Sequence, residues 1–137
     1  MADTVRVVEY FYLTAPQKPG VGAAVLNELR QSGVNLLAFS GFPAGRGAQI
    51  DFIPEDAAAF RAAAKKAKWN LTGPKKAFLI SGDDRPGVVG EMLQKLADAK
   101  INVTAVDAAC AGQGRYGAIL WVAARDVARA ARALGAA

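Results

Sequence analysis

The chain repeats itself, and that duplication limits its fold more than any other feature. At an offset of 67, Phe11 falls on Phe78, Leu13 on Ile80, and Lys18-Pro19-Gly20-Val21 on Arg85-Pro86-Gly87-Val88. Leu26 and Leu29 fall on Leu93 and Leu96, Val34-Asn35 on Ile101-Asn102, and Ala38 on Ala105. Past that point the offset becomes 70, so that Gly47-Ala48 matches Gly117-Ala118, Ile50 matches Leu120, and Asp56 matches Asp126. The extra residues of the second copy fall in glycine-rich stretches, where added loop length costs little free energy. Whatever fold suits one half must also suit the other.

Each half reads as the same series of elements. Residues 5–14 and 76–82 are rich in Val, Tyr, Phe, Leu and Ile, which favours strands. Phe11 and Leu13 share one face of the first strand, and Tyr10 and Tyr12 the other. Gly22, Val25, Leu26 and Leu29 then recur at helical spacing, as do Val89, Met92, Leu93 and Leu96. Gly33 suits a helix end, whereas Lys100 at the equivalent place does not. Second strands follow at 34–40 and 101–108, third strands at 47–53 and 117–123, and second helices at 55–67 and 125–134. Asp56 and Asp126 lie near the starts of those helices, where an acidic group complements the dipole.

Trp69–Thr72 reads as a closing strand of the first copy, and Gly73-Pro74 as the join. The second copy reaches Ala137 with no room for a matching strand. The expected units are therefore 1–73, ordered βαββαβ, and 74–137, ordered βαββα. Antiparallel sheets with both helices on one face are the economical packing, which makes the chain an α+β protein.

Composition narrows the function. A hydrophobic content of 53% against 21% charged residues suits a packed domain and excludes a disordered tail. No segment approaches the ~20 apolar residues of a membrane span. The first residues, with Asp3 and Glu9, do not read as a signal peptide, and the single cysteine, Cys110, excludes an internal disulfide. The expected location is cytoplasmic.

There is no histidine, so the commonest general base and metal ligand is missing. Cys110, in Ala108-Ala109-Cys110-Ala111, reads as a buried small hydrophobe. Asp83-Asp84 lacks the further oxygen ligands that a cation needs, and no phosphate-binding or nucleophile-elbow motif occurs. The expectation is a protein that is not an enzyme and uses no metal or cofactor.

The formal net charge is +5, and Lys65, Lys66, Lys68, Lys75 and Lys76 cluster. Trp69 is the only aromatic residue inside that cluster, which suits a solvated helix end better than a nucleic-acid surface.

The segment Gly82-Asp83-Asp84-Arg85-Pro86-Gly87-Val88 joins a strand to a helix. Proline suits the first helical turn, and Gly87 leaves the backbone uncovered. Free N–H groups at a helix start attract an anion such as a carboxylate, and Asp84 can accept from an ammonium. A zwitterionic amino acid needs that combination. The same residues also admit a plainer reading, in which Asp83 or Asp84 caps the helix and Gly87 allows tight packing.

Asp84-Arg85-Pro86-Gly87-Val88, Leu93, Leu96 and Lys100-Ile101-Asn102-Val103 together resemble an ACT domain. Gln17-Lys18-Pro19-Gly20-Val21, Leu26, Leu29 and Gly33-Val34-Asn35-Leu36 are similar but lack the aspartate. The resemblance implies two ferredoxin-like units whose sheets pair side by side. It implies regulatory binding of an amino acid or similar zwitterion between two units, where the first turn of one faces the second strand of its neighbour. Carried over, it nominates Asp84, Arg85, Pro86, Gly87, Val88 and Asn102, and in the first copy Gln17, Lys18, Pro19, Gly20, Val21 and Asn35. Gln17 cannot balance an ammonium charge, so one good site and one degenerate site are expected. The partners implied are the amino acid and either a second copy or a target enzyme.

Two other readings remain open. An interaction module without a ligand would use its open sheet faces and edges. An RNA-binding domain shares the βαββαβ order, but Arg115-Tyr116-Gly117-Ala118-Ile119 fits the RNP1 pattern poorly.

Overall fold

The computed structural model describes residues 3–137. Its elements are β1 (Thr4–Ala15), α1 (Val21–Gln31), β2 (Leu36–Ala44), β3 (Gly47–Pro54), α2 (Ala57–Lys66) and β4 (Thr72–Asp83), followed by α3 (Val88–Asp98), β5 (Val103–Gly112), β6 (Arg115–Val122) and α4 (Val127–Leu134). A single 3-10 turn, Ala124–Asp126, leads into α4. The elements make an α+β fold of two compact units. One is Glu9–Lys75, and the other joins the chain up to Val8 with Lys76–Ala137. Both β1 and β4 are thus divided between units.

The first unit has the strand order β2-β3-β1-β4, with β4 represented by Thr72–Lys75. Strand β3 runs antiparallel to both neighbours, in a register that sets Phe11 and Phe39 opposite Phe52, and Tyr12 and Ser40 opposite Asp51. Directly opposed residues share a face, so Phe11, Leu13, Ile50 and Phe52 meet Val25 and Leu29 of α1 and Phe60 of α2. This core is aromatic: Phe60 lies 5.1 Å from Phe11 and 5.0 Å from Phe52 between ring centroids, and Trp69 stacks on Phe52 at 5.7 Å.

The second unit has the order β5-β6-β4-β1, with β1 represented by its residues up to Val8. Phe78 opposes Leu120 and Ile80 opposes Ala118. Their shared face packs on Met92 and Leu96 of α3 and on Ala130 and Leu134 of α4, giving a mainly aliphatic core. Val5 joins that core, and the Ala137 N–H donates to the Val5 carbonyl at 3.0 Å.

Several expectations change here. The closing strand of the first unit is not Trp69–Thr72. Lys68 adopts φ 62 after α2, the Trp69 N–H donates to the Ala64 carbonyl, and the indole turns into the core. Strand β4 then runs through Gly73-Pro74 without a break, and the compact units divide at Val8/Glu9 and Lys75/Lys76 rather than at that dipeptide. The strand with no counterpart at the end of the second copy comes from the other end of the chain, as the start of β1. Cys110 is exposed rather than buried, because β5 ends the strand order of its unit and is open along most of its length.

Helix α1 ends at Gly33 with φ 69 and a Val34 N–H···O Leu29 bond of 2.9 Å. Helix α3 ends the same way at Lys100, with φ 59 and an Ile101 N–H···O Leu96 bond of 2.9 Å. The lysine therefore takes the conformation that glycine takes in the first copy. Among the described residues, no helix is long and apolar enough to cross a membrane.

Candidate functional site

The turn from β4 to α3 is held open from several sides. Gly87 is the residue before α3, at φ 79, and no side chain caps the helix. Neither Asp83 nor Asp84 therefore plays the capping role. The Asp83 carboxylate accepts from Arg115 at 2.8 Å, and the Asp84 N–H donates to the Gly114 carbonyl at 2.8 Å. A Cβ placed at Gly87 would meet nothing within 4 Å. The Val88 N–H turns back to the Arg85 carbonyl at 3.3 Å. The N–H groups of Val89 and Gly90 have no acceptor within their own helix, by the geometry of a helix start.

Arg85 is committed to both oxygens of the Glu91 carboxylate, its Nη2–Oε1 contact being 3.0 Å. That guanidinium holds Glu91 below the usual carboxylate range. The Asp84 carboxylate lies beside the Cys110 thiol and, with burial, pushes it up.

Two groups that sequence reasoning missed lie at the same place. The Tyr116 ring covers Gly82, where an added Cβ would come within 3.0 Å of Cε1. Tyr116 is buried, and the Asp3 carboxylate lies on the same side of Gly82 as its ring. Burial first, and then the Asp3 carboxylate, push the Tyr116 hydroxyl up to about 12. Asp3 arrives because the start of β1 closes this unit, so a carboxylate 80 positions away in sequence stands beside the turn. Only the recruitment of β1 could have signalled it.

The first unit repeats the backbone of this turn without its acids. Gly20 precedes α1 at φ 91, again with no side-chain cap and with open space where a Cβ would stand. The Lys18 N–H donates to Pro16 at 3.2 Å, and the side chains of Gln17 and Lys18 are exposed. Pro19 and Pro86 are exposed at matching positions.

Asn35 and Asn102 do not join these turns within their own units. Each follows the far end of an 11-residue helix, about 16 Å from its start at 1.5 Å per residue. Asn35 is bound to Glu55, through Nδ2–Oε2 at 3.3 Å and a Glu55 N–H···O Asn35 bond of 3.1 Å. It lines an open groove of about 450 Å³ with Leu26, Leu29, Arg30, Gly33, Val34 and Leu36. The sequence carried no signal of this groove, because Leu26, left 39% exposed, falls at the same helical spacing as the buried Val25 and Leu29. Among the described residues, no three acidic or sulfur side chains come together as a metal site.

No protein-family model and no curated protein matches this chain. Solved structures do. Protein BT0572 from Bacteroides thetaiotaomicron is similar with a TM-score of 0.80 and 16% identity, over 96% of this chain and 88% of that one. The ligand-free regulatory subunit of aspartate kinase from Thermus thermophilus is similar at 0.64 and 19%, over 98% and 95% of the two chains. The corresponding subunit from Thermus flavus is similar at 0.60 and 18%, over 98% and 94%. What these similarities establish is the fold, two βαββ-type units in tandem.

Proposed function

We propose that this chain is a non-catalytic regulatory module that binds an amino acid or similar small zwitterion at the β4–α3 turn of its second unit. The observation that carries the reading is the open start of α3 behind Gly87, flanked by acidic side chains. The free N–H groups suit a carboxylate. Asp84 and Asp3 supply negative charge for an ammonium. The first-unit turn has the same open backbone but only Gln17 and Lys18, so it is the degenerate site. The solved relatives named as regulatory subunits of aspartate kinase support a regulatory role and a partner enzyme.

Thermal denaturation against each of the twenty amino acids tests this. A ligand at 100 times its dissociation constant adds about 2.7 kcal/mol, a clear rise in Tm. Asp84→Ala should abolish that rise while leaving the unliganded stability within about 1 kcal/mol of the parent. No response to any of the twenty overturns the amino-acid reading.

One observation favours a second reading, an interaction module. Among the described residues, the exposed large hydrophobic side chains are Leu26, Leu37, Phe39 and Phe42, all on α1 and β2 of the first unit. A concentration-dependent change in mass on dilution, with no ligand response, would support it over the sensor.

A further inference from the structure

The face of the first unit that turns away from α1 and α2 carries a group that neither the fold nor the turn explains. Asp51, on β3, is only 5% exposed, although it lies on the opposite face from Phe52 and the α1–α2 core. Its register neighbours are Ser40 on β2 and Tyr12 on β1. Tyr10, two residues before Tyr12, lies on the same face of β1. Gln49 Nε2 donates to Asp51 Oδ1 at 2.9 Å. That neutral amide is the one hydrogen bond the carboxylate receives among the described residues, and no cation lies within ion-pair distance. A carboxylate has about four acceptor sites, and burying an unpaired one is costly.

The cation that acts on Asp51 is Lys75. Its ammonium sits 5.3 Å above the Tyr12 ring, on the aromatic face beside Asp51, instead of forming an ion pair. It is itself a primary alkylammonium, so the Tyr12 ring already holds a group of this kind. Burial pushes the Asp51 carboxyl up, and Gln49 and then Lys75 pull it back down. The charge is thus partly compensated, from a distance.

The geometry points to a second ligand site, formed by Tyr12, Gln49 and Asp51, for a small primary alkylammonium that takes the place of the Lys75 ammonium. The Tyr12 ring supplies aromatic surface for the cation and Asp51 supplies the counter-charge. Lys75 is the tethered competitor, present at an effective concentration on the order of millimolar. The site is independent of the turn at α3, because every group in it belongs to the first unit. Attraction to the protein as a whole does not explain such binding, since the net charge is +5 and repels cations.

The test is titration of the whole chain with n-butylammonium, followed by tyrosine fluorescence and NMR, with n-butanol as the neutral control. The parent should bind weakly, and Lys75→Ala about tenfold more tightly as the competitor is removed. Asp51→Asn on the Lys75→Ala background should abolish binding with the Gln49 contact kept. Tyr12→Leu on that background should weaken it, which keeps the test open if the Asp51 variant fails to fold. No saturable binding to Lys75→Ala at concentrations up to roughly 50 mM, well above the tethered level, overturns the proposal. Equal binding of n-butanol, or binding unchanged by both Asp51→Asn and Tyr12→Leu, does the same. Loss of the amino-acid response at the α3 turn leaves these outcomes unaffected.

Discussion

The two units share a backbone and differ in how they are completed. The first unit takes its closing strand, Thr72–Lys75, from the chain directly after α2. The second takes its own from the opposite end of the sequence, as the first residues of β1. The first also builds its core from aromatic rings, and the second from Ile, Leu, Met and Val around Phe78. Duplication therefore preserved the order of elements without preserving either the source of each strand or the way the core is filled.

The sharpest way to break this comparison is to remove residues 1–8. The second unit should then lose Val5 from its core and the partner strand of β4, and should unfold. Amide exchange should show protection lost in β6 around Leu120 and kept in β3 around Phe52. Equal loss in both would show that the first unit has no stability of its own.

The next largest effect lies in the cores. Phe60 is fully buried among Phe11, Phe52 and Trp69, while its counterpart at an offset of 70 is the equally buried Ala130. Phe60→Ala should destabilise by about 3–5 kcal/mol through the cavity it leaves. Ala130→Phe should cost about 1–3 kcal/mol by overpacking. Urea denaturation measures both, and a neutral Phe60→Ala would mean that the aromatic cluster collapses around the gap.

Much of the fold was legible because its signals are local. The period of two in β1 and β4, the helical spacing of Val25 and Leu29, and the offset between Ile50 and Leu120 each need only neighbouring residues. The sharing of β1 was not legible, for a physical reason. Val5, Val7, Phe11 and Leu13 keep one alternation of period two, broken only by Glu9, and a single polar position in one strand is too weak a signal that its face serves two cores. Asp3 could not be assigned to the α3 turn without that knowledge. Trp69 misled in the opposite way: strand-favouring residues at 69–72 suggested a strand, but the left-handed Lys68 sends the indole into the core. At the turns, Gly20 and Gly87 were readable as glycines that free the backbone. The pairing of Arg85 with Glu91 was not foreseen, although it lies within one loop and helical turn.

The helix ends sharpen the comparison further. Glycine closes α1 at Gly33 and α4 at Gly135, whereas lysine takes the same left-handed conformation after α2 at Lys68 and α3 at Lys100. What is shared is the backbone bond to the carbonyl one turn back, made by Val34, Trp69, Ile101 and Ala136. The residue at the turn changes only the strain. Lys100→Gly should stabilise the second unit by about 1 kcal/mol, and Gly33→Lys should destabilise the first by a similar amount. That corresponds to a few degrees of Tm in opposite directions. Shifts of the same sign would show that the two ends are not equivalent.

The smallest effect concerns chemistry rather than stability, and it separates the two turns most directly. Copy two has Asp84 where copy one has Gln17, and the Asp84 carboxylate beside Cys110 disfavours its thiolate. Asp84→Asn keeps the shape and removes the charge, so the thiol pKa should fall. The thiolate is the reactive form, so alkylation by iodoacetamide at a pH below the midpoint should speed up, and the whole pH–rate curve should move to lower pH. Gln17→Asp adds the same charge to the other turn and should leave the curve where it is. A profile unchanged by Asp84→Asn would mean that the carboxylate does not act on the thiol, and that the acidic turn of the second copy is electrostatically no different there from the neutral turn of the first.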